Sequence, residues 1–192
     1  DPLMAIATLV EPEYQKKMNK RIQSRLRSAH LRGCPQELTN CVDSAEREYL
    51  PRGITETLST LDFIDSGLNV CILGPSDSGK SYLAKALGIV ACNNYKVEYH
   101  HCETLLETLV ALKAQDYSKY QKRLKKICGA ALLILDDFLL HTITDEREVK
   151  VLFEILEKRC EINLSTIICS QREPASWSSM ILNDEVSANA IL

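Results

Sequence analysis

Three stretches of the chain are apolar almost throughout: Leu68-Asn69-Val70-Cys71-Ile72-Leu73, Ala131-Leu132-Leu133-Ile134-Leu135, and Ser165-Thr166-Ile167-Ile168-Cys169. Runs this short and this apolar suit parallel strands covered on both faces. A fourth, Lys96-Val97-Glu98-Tyr99-His100, is read as a further strand. Between them apolar residues recur three and four apart, the spacing of a helix with one buried side. Leu105, Leu106, Leu109 and Leu112 mark such a helix over 103–115, and Leu152, Ile155 and Leu156 another over about 145–160. A third helix runs from residue 80 to about 92, and a short one over about 53–65 precedes the first strand. Near the N-terminus Tyr14, Met18, Ile22 and Leu26 recur every fourth position, giving a helix over 11–32 with a narrow apolar stripe. Gly33-Cys34-Pro35 breaks that helix, and residues 33–50 look irregular. Strands that alternate with helices predict an α/β protein with a parallel sheet and helices on both faces.

Between the first strand and its helix stands Gly74-Pro75-Ser76-Asp77-Ser78-Gly79-Lys80-Ser81, a complete G-x-x-x-x-G-K-[ST] phosphate-binding loop. Glycines let the backbone wrap a polyphosphate, its N–H groups turn inward, and the helix start adds the positive end of its dipole. In that setting Lys80 is expected to reach the β- and γ-phosphates and Ser81 to ligate Mg²⁺. Tyr82, the next residue, is placed with the binding set. The strand at 131–135 ends in Asp136-Asp137, the Walker B arrangement. Its carboxyl end is where doubly wound sheets place their ligands. Asp136 is expected to hold the Mg²⁺ shell opposite Ser81, and Asp137 to orient the attacking water.

Composition adds limits rather than direction. With 192 residues, 45% of them hydrophobic, the chain can bury one good core and a small appendage. A net charge of −3 argues against nucleic-acid binding by bulk charge, so any such contact must come from local patches. Two patches qualify: Lys16, Lys17, Lys20, Arg21, Arg25, Arg27 and Arg32 around the N-terminal helix, and Lys119, Lys122, Arg123, Lys125 and Lys126 before the Walker B strand. Charge runs of this kind are most often solvated faces. The eight cysteines are irregularly spaced with no C-x-x-C, as expected of reduced, structural thiols. His100-His101 has no acid or thiol partner at a convincing metal-ligand spacing. No apolar run approaches a membrane span and no secretory signal opens the chain, so a cytoplasmic protein without a membrane partner is expected. The start at Asp1 and the end in a helical pattern suggest a fragment.

These pieces, in this order, resemble the AAA+ ATPases of the IstB/DnaC group, the ATP-binding helpers of insertion-sequence transposition and the related helicase loaders. The likeness extends through Asp136-Asp137-Phe138, Glu154-Ile155-Leu156-Glu157-Lys158-Arg159, Ser165 to Gln171, and Pro174-Ala175-Ser176-Trp177. It covers residues 50–192 well and the N-terminal helix more loosely. It implies a P-loop NTPase sheet of order 5-1-4-3-2, with ATP and Mg²⁺ as cofactors. It also implies a basic helical segment at 1–48 and an ATP-binding core at 49–192, with the C-terminal lid cut short. Ser170 and Gln171 fall at the position where a polar side chain at the strand end contacts the γ-phosphate or the attacking water. Gln171 therefore joins Lys80, Asp136 and Asp137 in the expected catalytic set.

Three departures qualify the likeness. Asp137 is one methylene shorter than the Glu common in AAA+ proteins, which implies slow hydrolysis. Leu139 stands where the transposition helpers often carry Gly. The chain also stops at Leu192, before the arginine that the family inserts into a neighbouring subunit's nucleotide. The expected function is an ATPase, weak in this chain, that forms a homo-oligomer on ATP and DNA and assists a transposase. The alternatives are a loader of a replicative helicase and a nucleotide-gated interaction switch with little hydrolysis.

Overall fold

The computed structural model describes residues 2–44 and 47–181, with side chains from residue 12 onward. Four strands form one parallel sheet: β1 (Val70–Leu73), β2 (Val97–His101), β3 (Leu132–Asp136) and β4 (Ser165–Ser170), in the order β1-β4-β3-β2. β4 thus lies between the phosphate-loop strand and the Walker B strand, as the order 5-1-4-3-2 requires. The fifth strand of that order is not among the described residues.

Among the described residues seven α-helices accompany the sheet: α1 (Pro2–Ser28), α2 (Ile54–Ser59), α3 (Asp62–Asp65), α4 (Lys80–Ala91), α5 (Cys102–Gln115), α6 (Tyr117–Cys128) and α7 (Glu146–Glu161). β3 shows why both faces are covered. Leu133 and Leu135 join α5, α6 and α7 in one apolar cluster, while Leu132 and Ile134 join α3 and α4 in the other. All five residues of β3 are buried, so the strand has no solvated side to encode as a polar alternation.

Local signals set the helix ends. Asp116 and Asp145 cap α6 and α7, accepting bonds from the Lys119 and Arg147 N–H groups at 3.0 and 2.8 Å. α7 also carries Glu146 and Glu148 in its first turn and Lys158 and Arg159 in its last, matching the helix dipole. Gly88 allows α4 to pack closely, since a Cβ there would come within 2.8 Å of both Ile134 and Leu31. The helix expected over 53–65 is broken in two, because Leu61 takes a left-handed conformation at φ 64°. The tail at 183–192, within the stretch that resembles the family, lies outside the described residues.

α1 does not use its apolar stripe as a docking face. Among the described residues, only Leu26 of that stripe packs against the core, and Tyr14 is 56% exposed. The helix is instead held by its end: Ala29 and Leu31 are buried, and Arg25 donates to the carbonyls of Cys92 and Asn93. From there residues 33–44 and 47–49 form a strap, with a 3₁₀ turn at Leu38–Asn40, toward the start of α4.

Candidate nucleotide-binding site

The phosphate loop joins β1 to α4, and its last residue before the helix, Gly79, sits at φ 91°. Only glycine takes that conformation without strain. Asp77 adopts φ 59° within the same loop, which is less comfortable for a residue with a side chain. Lys80, largely buried, folds back so that its ammonium donates to the Pro75 carbonyl at 2.5 Å. The lysine therefore sits along the loop, with a neutral acceptor as its bonding partner. Ser78 Oγ is buried with no hydrogen-bond partner. An unpartnered hydroxyl inside a phosphate cradle fits an anion there, because leaving it unbonded costs free energy.

Opposite the loop, Asp136 ends β3 and is fully buried. Its Oδ1 accepts from Ser81 Oγ at 3.0 Å and from the Asp137 N–H at 3.1 Å, and its Oδ2 accepts from the Tyr99 hydroxyl at 2.5 Å. The Ser81 hydroxyl and the Asp136 carboxylate are hard oxygen donors facing each other, which suits Mg²⁺ better than a softer metal. Burial, together with its bond to Asp136, pushes the Tyr99 phenol well above its ordinary pKa, so it stays a donor. Cys169 lies beside the same carboxylate, and burial and the Asp136 charge likewise push its thiol up. It is a packed, protonated neighbour rather than a nucleophile.

Asp137 takes φ 54° and Leu139 φ 51°, so two residues with side chains hold left-handed positions just after the Walker B strand. Leu139 thus keeps the backbone that a glycine would adopt more easily, and it is buried. Strain of this kind concentrates at functional sites. The Asp137 carboxylate is bonded to His101 Nδ1 at 3.0 Å. His101, Asp136 and Asp137 form a cluster whose ligand atoms lie within 4.8 Å of one another. The sequence offered no acid partner for His101 because the pairing is non-local: in the parallel register of β2 and β3, His101 stands opposite Asp136. The usable signal was that a second strand next to β3 must deliver its last residues to the same crevice. That signal identifies Tyr99 and His101 together.

At the end of β4, Ser170 is buried and its hydroxyl donates to the Phe138 carbonyl at 2.9 Å while accepting from the Arg172 N–H at 3.0 Å. The Ser170 carbonyl accepts from the Gly74 N–H at 3.3 Å, which ties the strand end to the loop. Gln171 follows on the exposed side. Trp177 packs edge-on against Phe138, with ring centres 4.9 Å apart, and its indole N–H donates to the Arg172 carbonyl. Tyr82 turns to the strap, its hydroxyl accepting from the Glu37 N–H and Asn40 Nδ2, both at 3.2 Å. Strap and loop enclose a cavity of about 500 Å³. Gly74, Pro75, Asp77, Ser78 and Lys80 line one side of it, and Asn40, Val42, Arg47 and Tyr49 the other.

The basic stretches divide by role. On α6, Lys126 and Arg123 face the buried Glu98 at 2.7 and 3.3 Å, so they serve as internal counter-charges. Lys119, Lys122 and Lys125 point to solvent, as do Lys16, Lys17, Lys20, Arg21 and Arg27 of α1.

A parallel sheet of this order, with a phosphate loop facing a buried strand-end carboxylate, defines a P-loop NTPase of the AAA+ type. The family model for IstB-like ATP binding proteins matches residues 3–192, and the chain belongs to that family. It is 38% identical over 188 residues to a Sinorhizobium fredii protein named for an insertion sequence and ATP binding, covering 97% of this chain and 73% of that one. Among solved structures, DnaI superposes with a TM-score of 0.66 at 20% identity, over 84% of this chain and 85% of that one. AMPPCP-bound DnaA from Aquifex aeolicus gives 0.65 at 21% identity, over 83% of this chain and 47% of that one. At these identities the two structures speak for the fold alone. Among the described residues, no helix is long and apolar enough to cross a membrane.

Proposed function

We propose that this chain binds Mg²⁺-ATP between the phosphate loop and the end of β3, and hydrolyses it slowly while assembling on DNA to assist a transposase. The observation that carries the reading is the 3.0 Å approach of Ser81 to Asp136, which presents two oxygen ligands at the end of the phosphate loop. Lys80 and the loop N–H groups would hold the phosphates, and Ser81 and Asp136 the cation. The cation would neutralise charge on the phosphates. Asp137 would orient the attacking water, with Gln171 facing the γ-phosphate from the neighbouring strand. Ser170 would act by fixing the strand end, its hydroxyl being already bonded on both sides. The solvent-facing cations of α1 and α6 are the surfaces proposed for DNA phosphates. The insertion-sequence naming of the relatives supports a transposase partner over a replicative helicase. The division into a basic segment at 1–48 and a core at 49–192, the homo-oligomer and the cytoplasmic location belong to the same proposal.

One observation favours a second reading. The Asp137 carboxylate is held by His101 and so is not free to polarise water. A switch that binds ATP with little turnover would look the same. The deciding experiment measures ATP binding and turnover with and without duplex DNA, beside Lys80→Ala. Turnover that DNA stimulates and Lys80→Ala abolishes supports the ATPase. Binding without turnover, whatever the DNA, leaves the switch. A wild-type chain that does not bind ATP ends both.

A further inference from the structure

Arg47 was not singled out by any motif, yet it occupies an unusual place. Its guanidinium lies on the phosphate loop at Gly79: a Cβ built there would meet Arg47 Cζ at 3.0 Å and its Nε and Nη2 at 3.2 Å. Gly79 immediately precedes α4, so the arginine is held at the helix N-terminus, the positive end of its dipole. Lys80, a second cation, is the next residue. Repulsion should drive Arg47 away unless something negative compensates.

None of the described residues does. Among the described residues Arg47 makes no ion pair, and its side-chain bond is to the neutral Tyr49 hydroxyl at 3.4 Å. Two acids line the same cavity, but Glu48 pairs with Arg52 at 3.5 Å and Asp77 pairs with neither cation. The strap that carries Arg47 is built rather than loose: Asp43 accepts from the Tyr49 N–H at 2.8 Å, and Tyr82 anchors residues 37–40. The unbonded Ser78 hydroxyl lines the same cavity. Two cations, a helix N-terminus and an unpartnered hydroxyl converge there, and among the described residues neither cation is paired with a carboxylate.

We propose that Arg47 binds the phosphate chain of the nucleotide, as a cation supplied in cis by the strap and facing Lys80 across the cradle. The proposal rests on the reading of this cavity as the nucleotide site. It implies that the strap closes on the phosphates, since a guanidinium can bond two phosphate oxygens at once.

The test compares Arg47→Met, which keeps the packing on Gly79 without the charge, with Arg47→Lys and the wild-type chain. A fluorescent ATP analogue reports affinity, and a thermal melt without nucleotide reports the fold. Arg47→Met should weaken nucleotide binding at least ~10-fold, the scale of one lost charge-assisted contact, and flatten its salt dependence. It should leave the nucleotide-free melting temperature unchanged or higher, because a repelling cation has gone. Arg47→Lys should recover part of the affinity. Binding by Arg47→Met within two-fold of wild type overturns the proposal. So does a loss of affinity matched by a lower melting temperature that lysine does not restore, which marks a structural strap residue. Lys80→Ala separates the two levels: if it binds like wild type, the nucleotide reading fails and this proposal falls with it. If Lys80→Ala is impaired and Arg47→Met is not, only the role of Arg47 is lost.

Discussion

Arg159 is expected to hold the end of α6 to the sheet's two central strands, and Arg159→Met tests how much. The side chain is 1% exposed in the last turn of α7, yet it meets no carboxylate. Nη1 donates to the carbonyls of Ile127, Cys128 and Ala130 at 3.2, 3.2 and 2.7 Å. Nε donates to Thr166 Oγ1 at 3.0 Å, and Nη2 to the Ser165 carbonyl. The cation thus caps the C-terminus of α6, where carbonyls lack helical partners, and ties it to the approach to β3 and the first residues of β4. Burial lowers its pKa to about 10, so it remains charged at neutral pH. Methionine fills much of the volume but strands five buried acceptors, each worth about 1 kcal/mol. Ile127 keeps a second donor from the Ala130 N–H, and no guanidinium need be desolvated, so the net loss is about 3 kcal/mol. That is a large part of the 5–15 kcal/mol that ~200-residue domains commonly have. In urea, with a slope of about 2 kcal/mol/M, the midpoint should fall by roughly 1.5 M. Arg159→Lys should fall between the two, and folded Arg159→Met should bind nucleotide as wild type does. A midpoint within ~0.3 M of wild type, or a loss of nucleotide affinity at unchanged stability, refutes the reasoning.

Two further predictions concern charge. Burial works to raise the pKa of Glu98, but its bonds to His100 and Lys126 and the Arg123 charge override it, so the carboxyl stays below its ordinary value. Its contribution is therefore present above the unfolded pKa near 4.5 and lost as pH falls through the lower folded value. Glu98→Gln should flatten that acid limb in urea titrations from neutral pH downward, and cost on the order of 2 kcal/mol at neutral pH; a parallel limb in the variant would show that Glu98 is not its source. Asp77 places a carboxylate on the wall of the cavity at φ 59°. Asp77→Gly should raise ATP affinity roughly 5-fold at low salt and less at high salt, as titration calorimetry would read; unchanged affinity at low salt would show that the carboxylate does not face the phosphates.

The sheet was legible because its signals are local. Leu132 to Leu135 are apolar in every position, the loop glycines and Lys80 are contiguous, and α5 and α7 announce themselves by leucine spacing. What escaped reading depends on register and long-range closure. Tyr99 and His101 look like ordinary strand residues until β2 is set beside β3, and Arg47 sits in a segment with no period at all. Leu61 took a conformation that its residue type disfavours, which no propensity foretells. The stripe on α1 has helical spacing, but spacing shows that a helix forms, not what it packs against.

Lys80, Ser81 and Tyr82 are consecutive, and in this structure the first lines the phosphate cradle, the second touches the Walker B acid and the third holds the strap. The strap begins where α1 ends. Occupancy of the cradle and the footing of α1 are therefore separated by a single helical turn and one hydroxyl. If a macromolecule that seizes α1 alters how the strap sits, it must alter ATP affinity by some factor, and ATP must then alter that macromolecule's grip by the same factor. The long helix need not approach the nucleotide to be answerable to it.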